Sequence, residues 1–382
     1  MNKKLVRITT IPASLEKLLE NQLQYMSQYY SITAISSDEP ILNRVGKQQG
    51  VAVFNVEMTR KITPLQDLKA VWQLYHYFRR EKPFIVHTHT PKAGTVGMLA
   101  AKLAGVPHRL HTIAGLPLLE ATGSKRKLLN LVEKVTCHCA TMIYPNSHGL
   151  KEIIIREQFC KPEKLKVIGN GSSNGINTKY FNPDHFSEND KLILRSYLGI
   201  TPEDFVFVFV GRLVGDKGIN ELVAAFQKLN TIGLPAKLLL VGPKEDDLDP
   251  LQPDTLRQID SSHNIIFVGF QSDVRPYFAI SDVLLFPSYR EGFPNVVMQA
   301  GAMGLPSIVS DINGCNEIIE AGKNGIIIPV KDEQAIFNAM EKLLKDPILL
   351  EKMKQNARSM ILSRYEQEVV WRAILNEYKK LE

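Results

Sequence analysis

Two segments in the second half of the chain combine glycines, cations and the start of a helix in the pattern of an anion-binding site. The first reads Gly211-Arg212-Leu213-Val214-Gly215-Asp216-Lys217-Gly218 and follows an apolar run of strand length. Glycine lets the backbone approach a ligand closely, and the first turn of a helix leaves N–H groups unpaired. Arg212 and Lys217 add two positive charges, so the segment predicts a diphosphate site. A plain strand–loop–helix turn with two solvated cations is the alternative interpretation.

The second segment has the same design and reads Pro287-Ser288-Tyr289-Arg290-Glu291-Gly292-Phe293-Pro294-Asn295-Val296-Val297-Met298-Gln299-Ala300. Pro294 suits the first turn of a helix, where its missing N–H needs no partner. The amides that follow are expected to point towards phosphate oxygens: those of Asn295, Val296 and Val297. The carboxylate of Glu291 is better explained as an acceptor for sugar hydroxyls than as a phosphate ligand, and Gln299 can bind further hydroxyls.

Short β-branched runs alternate with amphipathic stretches along nearly the whole chain, and these elements must hold the two segments. Strands are predicted at 4–10, 31–36, 51–56, 84–88, 108–113, 142–145, 165–168, 205–210, 237–241, 265–268, 283–286, 306–309 and 326–329. Helices are predicted at 218–229 and 294–303, and at 65–78, where apolar residues recur at helical spacing: Leu65, Leu68, Val71, Trp72, Tyr75 and Phe78. The pattern predicts an α/β fold with mostly parallel sheets.

The alternation restarts after a polar, Asn-rich passage at 170–190, which indicates two Rossmann-like domains. The predicted first domain is 1–187, with a C-terminal helix at about 366–382 packing back on it, and the second is 188–365. A joint between two such domains predicts an interdomain cleft, where ligands commonly bind.

Length and composition restrict the class of protein. With 382 residues, 44% of them hydrophobic, the chain suits two domains of about 150 residues or more, which excludes a peptide hormone and a fibre. No run of about 18 apolar residues predicts a membrane span. The four cysteines, at 137, 139, 160 and 315, fit no disulfide framework, so a cytoplasmic location is expected.

The net charge of +6 is unevenly distributed. Residues 1–185 hold 25 Lys and Arg against 13 Asp and Glu, whereas the rest hold 21 against 27. A basic half can contact a membrane or a nucleic acid, or its cations can simply lie on solvent-exposed faces of helices. The cations are scattered without interleaved stacking aromatics, which disfavours nucleic acid. The predicted membrane contact is 123–134, where Lys125, Arg126 and Lys127 lead into a helix; a core-packed helix with a basic cap is the alternative.

Together the two segments resemble glycosyltransferase family 4, whose members are retaining enzymes of the GT-B fold. The resemblance lies in Gly211-Arg212 with Lys217, then Glu291-Gly292-Phe293-Pro294-Asn295 with a polar residue eight positions after the Glu. The family's interdomain Asn-Gly segment and its Gly-and-Glu segment are also matched, by Asn170-Gly171, Asn174-Gly175-Ile176-Asn177 and Asp311-Ile312-Asn313-Gly314-Cys315-Asn316-Glu317-Ile318-Ile319. Two further runs resemble the branch that builds bacterial capsular and O-antigen polysaccharides: Met58-Thr59-Arg60-Lys61 and Val86-His87-Thr88-His89-Thr90-Pro91-Lys92-Ala93-Gly94.

The resemblance implies roles for individual residues. Arg212 and Lys217 match the cations that hold the donor diphosphate, and Glu291 matches the Glu that contacts the hydroxyls of the transferred sugar; these three are the predicted catalytic residues. Gln299 stands where a second Glu normally clasps the nucleotide ribose. The other predicted donor-binding residues are Gly211, Gly292, Phe293, Pro294, Asn295, Val296 and Phe270, although a core role is as good an explanation of Phe270.

The first half departs further from the family. Many members have a Gly-rich loop after the first strand, where this chain has Thr10-Ile11-Pro12-Ala13-Ser14. Many also have a His directly before the Gly of a segment matching Thr112-Ile113-Ala114-Gly115, and Ala114 takes its place here. The remaining candidates for contacts with the acceptor or the cleft are Pro12, Ser14, His89 and His111. Both His residues are expected to be structural or to orient substrate rather than to be catalytic.

The predicted function is transfer of a sugar from a nucleotide-diphosphate donor, with UDP preferred, to a polyprenyl-diphosphate-linked saccharide. An N-acetylhexosamine is the preferred sugar, and peripheral attachment to the inner face of the plasma membrane is expected. A GT-B nucleotide-sugar epimerase and a non-catalytic sugar-nucleotide-binding protein are the alternatives, the second favoured only by Gln299 and Ala114. A nicotinamide dehydrogenase would need Gly-x-Gly-x-x-Gly after a first strand, which neither half has.

No cofactor and no metal are expected. The resemblance implies a metal-independent enzyme, and the chain has no clustered Asp-x-Asp, since Asp246-Asp247 and Asp249 fit a solvated, Pro-flanked loop. Cys137-His138-Cys139 is a poor zinc site, because neighbouring residues on a helix point in different directions and no second Cys pair completes the ligand set.

Overall fold

The computed structural model describes residues 2–116, 118, 121–245 and 249–382, so Asp246 and Asp247 of the predicted solvated loop lie outside the described residues. The chain divides into two compact units. The first unit is Met1–Asn174 together with Glu368–Glu382, and the second is Gly175–Gln367. The first unit thus ends earlier in the chain than the domain boundary that the sequence predicts near residue 187.

The first unit contains a six-stranded sheet in which every pair of neighbours is parallel. Its strands are β1 (Lys4–Ile8), β2 (Ser31–Ser36), β3 (Ala52–Asn55), β4 (Ile85–Thr88), β5 (His108–Ile113) and β6 (Met142–Pro145), in the order β3-β2-β1-β4-β5-β6. The strand predicted at 165–168 is wrong, because this stretch makes only one isolated bridge, between Ile143 and Leu165, beside the edge strand β6.

Helices cover both faces of this sheet and enclose two separate cores. They are α1 (Pro12–Leu18), α2 (Gln22–Ser27), α3 (Glu39–Gln49), α4 (Pro64–Glu81), α5 (Pro91–Leu103), α6 (Gly123–Cys139) and α7 (His148–Arg156), with α16 (Gln367–Lys379) returning from the end of the chain. Successive residues of β1 enter opposite cores, Leu5 with α1 to α3 and α16, and Val6 with α4 to α7. This alternation follows from the two-residue period of a strand.

The helix predicted at 65–78 is confirmed as α4, but the predicted apolar stripe is only partly buried. The residues that α4 buries are Ala70, Leu74, Tyr77 and Phe78. Three of the residues in the predicted stripe, Leu65, Leu68 and Trp72, instead have exposed side chains. The helix is therefore apolar on an outer face as well as on the face that packs in the core.

The second unit repeats the architecture with a second all-parallel sheet. Its strands are β7 (Phe205–Val210), β8 (Ala236–Val241), β9 (Ile265–Gly269), β10 (Val283–Phe286), β11 (Ser307–Ser310) and β12 (Gly325–Ile328), in the order β12-β11-β10-β7-β8-β9. Its helices are α8 (Glu188–Tyr197), α9 (Ile219–Thr231), α10 (Pro253–Ser261), α11 (Arg275–Ala279), α12 (Asn295–Ala302), α13 (Cys315–Ile318), α14 (Glu333–Lys345) and α15 (Pro347–Tyr365).

Both sheets have the doubly wound strand order, which confirms the predicted α/β class. Residues 206–209 of the central strand β7 are buried, as a strand covered by helices on both faces requires. The strand order of the second unit reverses direction between β7 and β10, and ligands of such sheets bind outside the carboxyl ends of the strands at this switch point. Among the described helices, none is long and apolar enough to cross a membrane.

Candidate functional site

The loops that follow β7 and β10 meet at the switch point of the second unit. Gly218 has a positive φ of 71°, and a Cβ atom there would lie 2.3 Å from the carbonyl oxygen of Pro287. Only glycine allows this approach. The Tyr289 N–H also donates to the carbonyl of Asp216 at 2.9 Å. The two segments that carry the predicted anion site, far apart in the sequence, are therefore in direct contact.

An ion pair between Lys217 and Glu291 lies at this contact. Both side chains are mostly buried, with exposures of 16% and 19%. The Lys217 ammonium binds the Oε1 atom of Glu291, and the Ser288 hydroxyl donates to the same oxygen at 3.1 Å. Neither contact involves Oε2, for which the described part of the chain supplies no hydrogen bond. The carboxylate is thus held through one oxygen, and the other can accept from a ligand.

The loop carrying Glu291 is fixed from behind by the segment after β11. The Asn313 side-chain amide donates to the carbonyl oxygens of Glu291 and Gly292, the second at 3.1 Å. Gly314 has a φ of 79°, and a Cβ atom there would lie 2.7 Å from the Gly292 carbonyl oxygen. The segment 311–319 therefore supports the loop through Asn313 and Gly314.

Arg212 does not join the Lys217–Glu291 pair. Its guanidinium binds the carboxylate of Glu245 at 2.6 Å, and its side chain is 46% exposed. An exposed ion pair contributes little free energy, so this guanidinium can exchange Glu245 for an anionic ligand at small cost. Asp216, between Arg212 and Lys217 in the sequence, is engaged by Arg290 at 2.7 Å.

The helix predicted after Pro294 is α12, which begins at Asn295 with Pro294 as its N-cap residue. Pro294 makes no side-chain capping bond to the first amides, and it precedes the first turn instead of lying within it. The Phe293 ring packs on Tyr365, with 5.4 Å between ring centroids. Gln299 is half-buried, and its side-chain amide forms no hydrogen bond with the described residues. Phe270, just after β9, is 73% exposed, so the core role considered for it is wrong.

Two of the predicted residues in the first unit, Pro12 and Ser14, lie in a helix and not in a loop. Helix α1 begins at Pro12, which is buried, so only three residues separate it from the end of β1. At the end of β1, the Thr10 and Thr90 hydroxyls lie 2.7 Å apart and join the ends of β1 and β4. A short polar turn therefore occupies the place of the family's Gly-rich loop.

His89 is held by a buried cation, Arg7, whose side chain is fully enclosed. The Arg7 Nε–H donates to His89 Nε2 at 3.0 Å, and its other N–H groups donate to Tyr378 and Gln22. The described residues give Arg7 no carboxylate partner. Burial and then the nearby Arg7 charge hold the pKa of His89 well below its usual value. Its Nε2 lone pair accepts from Arg7, so the imidazole carries its proton on Nδ1, for which the described residues offer no acceptor.

His111 is a packing residue of β5. Its Nδ1 atom lies 2.7 Å from the Thr88 hydroxyl, and a Cβ atom on Gly94 would lie 2.4 Å from its ring. Burial lowers the pKa of His111 to about 4. The imidazole is therefore neutral at physiological pH and fixed between α5 and the sheet.

Several residues that contact the predicted side chains, within one unit or the other, were not identified from the sequence. Ser288 and Asn313 both lie in segments that resemble the family, but no pattern indicated that they bind or support Glu291. No sequence pattern pointed to Glu245 or Arg7, because each binds a residue distant in the sequence. No group of three His, Cys, Asp or Glu side chains within the described ranges is arranged to hold a metal ion.

Comparisons with known proteins agree with these motifs. The family model of glycosyl transferases group 1 matches residues 190–360, and that of a glycosyl transferase 4-like domain matches residues 30–171. The Staphylococcus aureus capsular polysaccharide biosynthesis glycosyltransferase CapM is 32% identical over 99% of this chain and 97% of its own length. The Escherichia coli UDP-Gal:alpha-D-GlcNAc-diphosphoundecaprenol alpha-1,3-galactosyltransferase is 31% identical over 82% of this chain and 80% of its own.

Solved structures show the same fold. Anabaena HepE, crystallised in complex with UDP, matches with a TM-score of 0.81 at 19% identity, covering all of both chains. Matching family models on both halves and a relative 32% identical over nearly the whole length place this chain in glycosyltransferase family 4, so that it is a glycosyltransferase with the GT-B fold.

Proposed function

We propose that this enzyme moves a sugar from a UDP-activated donor, with retention at the anomeric carbon, to a saccharide carried on a polyprenyl diphosphate. The Lys217–Glu291 pair at the switch point is the observation that supports this best. It offers a cation for a diphosphate beside a carboxylate oxygen for sugar hydroxyls. The names of the relatives point the same way, since one acts in capsular polysaccharide biosynthesis and the other on a diphosphoundecaprenol-linked sugar.

The chemistry required of the protein is mainly electrostatic. Retaining transfer passes through an oxocarbenium-like state in which the departing nucleotide diphosphate gains negative charge. Preorganised donors aimed at such charge are commonly the largest catalytic contribution. Lys217, the uncapped amides at the start of α12 and the exposed Arg212 guanidinium supply them. The leaving phosphate can then take the acceptor's proton, which agrees with Nε2 of His89 being already occupied by Arg7.

The donor sugar is proposed to be an N-acetylhexosamine or a related hexose. UDP is supported by the Escherichia coli relative, whose name specifies UDP-Gal as its donor. The direct test is a screen of purified protein against several UDP-sugars with a lipid-diphosphate-linked sugar as acceptor, reading UDP and product by mass spectrometry. Turnover of donor without acceptor would indicate the epimerase, and binding without turnover would indicate the non-catalytic alternative.

Gln299 is proposed to contact the nucleotide ribose in place of a carboxylate. A hydrogen bond to a charged acceptor is worth about 1 kcal/mol more than one to a neutral acceptor. We therefore expect Gln299→Glu to tighten UDP binding by roughly fivefold and Gln299→Ala to weaken it by a similar factor. Calorimetric titration with UDP measures both, and Gln355→Ala on the exposed face of α15 is the matched control. Unchanged affinity in both Gln299 variants would remove Gln299 from the donor site.

Peripheral attachment to an anionic membrane is proposed to involve α6. Leu128, Leu131 and Val135 have exposed side chains, so one apolar side of this helix faces outward, whereas Cys137 and Cys139 on its other side are buried in the core. Of the predicted basic cluster, Arg126 is engaged by Glu157 at 2.7 Å and by the Leu118 carbonyl. The described structure shows no ion pair for Lys125, Lys127 and Lys134.

The triple variant Lys125→Gln, Lys127→Gln and Lys134→Gln is expected to bind anionic vesicles more weakly at low salt. Each cation near such a surface contributes about 1 kcal/mol, so the loss is about 3 kcal/mol at most and shrinks as salt rises. Co-sedimentation with phosphatidylglycerol vesicles measures it. Lys323→Gln, Lys342→Gln and Lys352→Gln in the second unit remove the same charge and serve as control. Equal binding by the two triple variants would contradict a role for α6.

A further inference from the structure

The outer face of α4 and the turn before it carry four large apolar side chains that the fold leaves exposed. Ile62 is 56% exposed, Leu65 85%, Leu68 64% and Trp72 63%. Isolated surface hydrophobics are ordinary, but a contiguous group of this size marks an interaction surface. A tryptophan in such a position is especially informative, because most of a Trp side chain is normally buried.

These side chains form one stripe that the core does not use. Leu65, Leu68 and Trp72 are spaced three and four residues apart, so they lie along one side of the helix. Leu74 and Phe78 of the opposite side fill the core beneath the helix. The fold therefore already has its packing face, and the outer stripe needs another explanation.

The cations around the stripe are uncompensated. Four exposed basic residues flank it, and the described residues supply none of them with an ion pair: Arg60, Lys61, Lys69 and Arg79. The acidic residues of α4 are engaged by other cations, Asp67 by Lys92 at 2.5 Å and Glu81 by Lys4 at 2.9 Å and Arg80 at 2.8 Å. The result is an apolar centre with a positive border, which we name the α4 surface.

We propose that the α4 surface inserts into the headgroup region of an anionic lipid bilayer. Tryptophan and leucine side chains partition into this region, and Lys and Arg beside them bind anionic headgroups. A second copy of the chain is a poorer occupant, because pairing two α4 surfaces brings their cations together. The proposal rests on the proposed function in that a lipid-linked acceptor requires the enzyme to reach a bilayer. Helix α5 contacts both α4 and α6, so the α4 surface and the α6 lysines belong to one helical layer.

The first test uses Trp72 as its own probe. The chain has two tryptophans, and the other, Trp371, is buried in the core and packs on Tyr25 of α2. Vesicles of phosphatidylglycerol and phosphatidylcholine with brominated acyl chains should quench the Trp72 emission of the full-length protein and shift it to the blue. Trp72→Phe should abolish the quenching while leaving the Trp371 signal. Vesicle-bound protein without quenching would overturn the proposal.

The second test separates apolar insertion from charge. Leu65→Gln with Leu68→Gln keeps every cation and should lower the partition coefficient into anionic vesicles by about tenfold or more, with the loss persisting at high salt. The lysine variants of α6 should lose affinity only at low salt. Leu192→Gln with Ile348→Gln makes the same chemical change at exposed positions of the second unit and should bind like wild type. Wild-type partitioning by the α4 variant, or self-association of the protein that vesicles do not reverse, would overturn the proposal.

A third measurement keeps this inference separate from the proposed function. With a short-chain, water-soluble diphosphate acceptor, the Leu65→Gln and Leu68→Gln variant should turn over like wild type, and with the same acceptor saccharide embedded in vesicles it should be slower. Slower turnover with both acceptors would indicate a folding defect and contradict the membrane role. If wild type transfers sugar to neither acceptor, the proposed function is refuted. The vesicle measurements still test whether the α4 surface inserts into a bilayer.

Discussion

Glu291→Ala is expected to abolish sugar transfer while leaving the protein folded. The carboxylate is held through Oε1 by Lys217 and Ser288, and its free Oε2 is positioned to accept from hydroxyls of the donor sugar. Losing a preorganised group of this kind costs about 10²- to 10³-fold in kcat, and misplacement of the sugar adds to it. Release of UDP and formation of product, followed by mass spectrometry, measure the loss.

Two controls make the Glu291 result specific. Glu351→Ala removes an exposed carboxylate on α15 and should be fully active. Glu291→Gln keeps the size and an acceptor oxygen but removes the charge that binds Lys217, so its activity should lie between that of wild type and the alanine variant. Thermal unfolding checks that all three variants fold. Near-normal turnover by a folded Glu291→Ala protein would remove this residue from the site.

The fold could be predicted from the sequence wherever a local pattern determines burial. Six consecutive apolar residues at β7 indicated a strand covered on both faces, and the structure buries most of them. At 165–168 the same reasoning failed, because a short apolar run does not show whether the chain pairs along a whole strand or, as here beside β6, at a single residue. On α4 the spacing of Leu65, Leu68 and Trp72 indicated a helix but not which face is covered, since that depends on elements distant in sequence.

The site was predictable to the level of loops but not of side-chain partners. Parallel strands put the loops after β7 and β10 at one edge, which is why the segments 211–218 and 287–300 could be assigned together. The Lys217–Glu291 pair and the Arg212–Glu245 pair depend on loop paths that no local pattern encodes. The state of His89 likewise depends on Arg7, 82 residues away and buried without a carboxylate.

Lys217→Ala is expected to lower kcat by about 10²-fold or more, and Arg212→Ala by a comparable factor. Both cations are proposed to stabilise charge that develops on the leaving diphosphate, so their removal should affect kcat and not only KM. Lys217 lies in the interior of the site, whereas Arg212 must first leave Glu245. Lys228→Ala, which removes an exposed lysine of α9, is the matched control. If the substitutions raise KM and leave kcat unchanged, the two cations bind the donor equally in the ground state and the transition state.

The Lys217 effect has a second interpretation that a double variant resolves. Because Lys217 binds Glu291, its removal could act only by misplacing that carboxylate. In that case Lys217→Ala combined with Glu291→Gln should be no slower than the slower single variant. If Lys217 also binds the diphosphate, each residue contacts a different part of the donor, and the double variant should lose clearly more than either single one. We expect the second result, measured as kcat/KM for the UDP-sugar under identical acceptor concentrations. A double variant no slower than the slower of the two single variants would make Lys217 a positioning residue for Glu291.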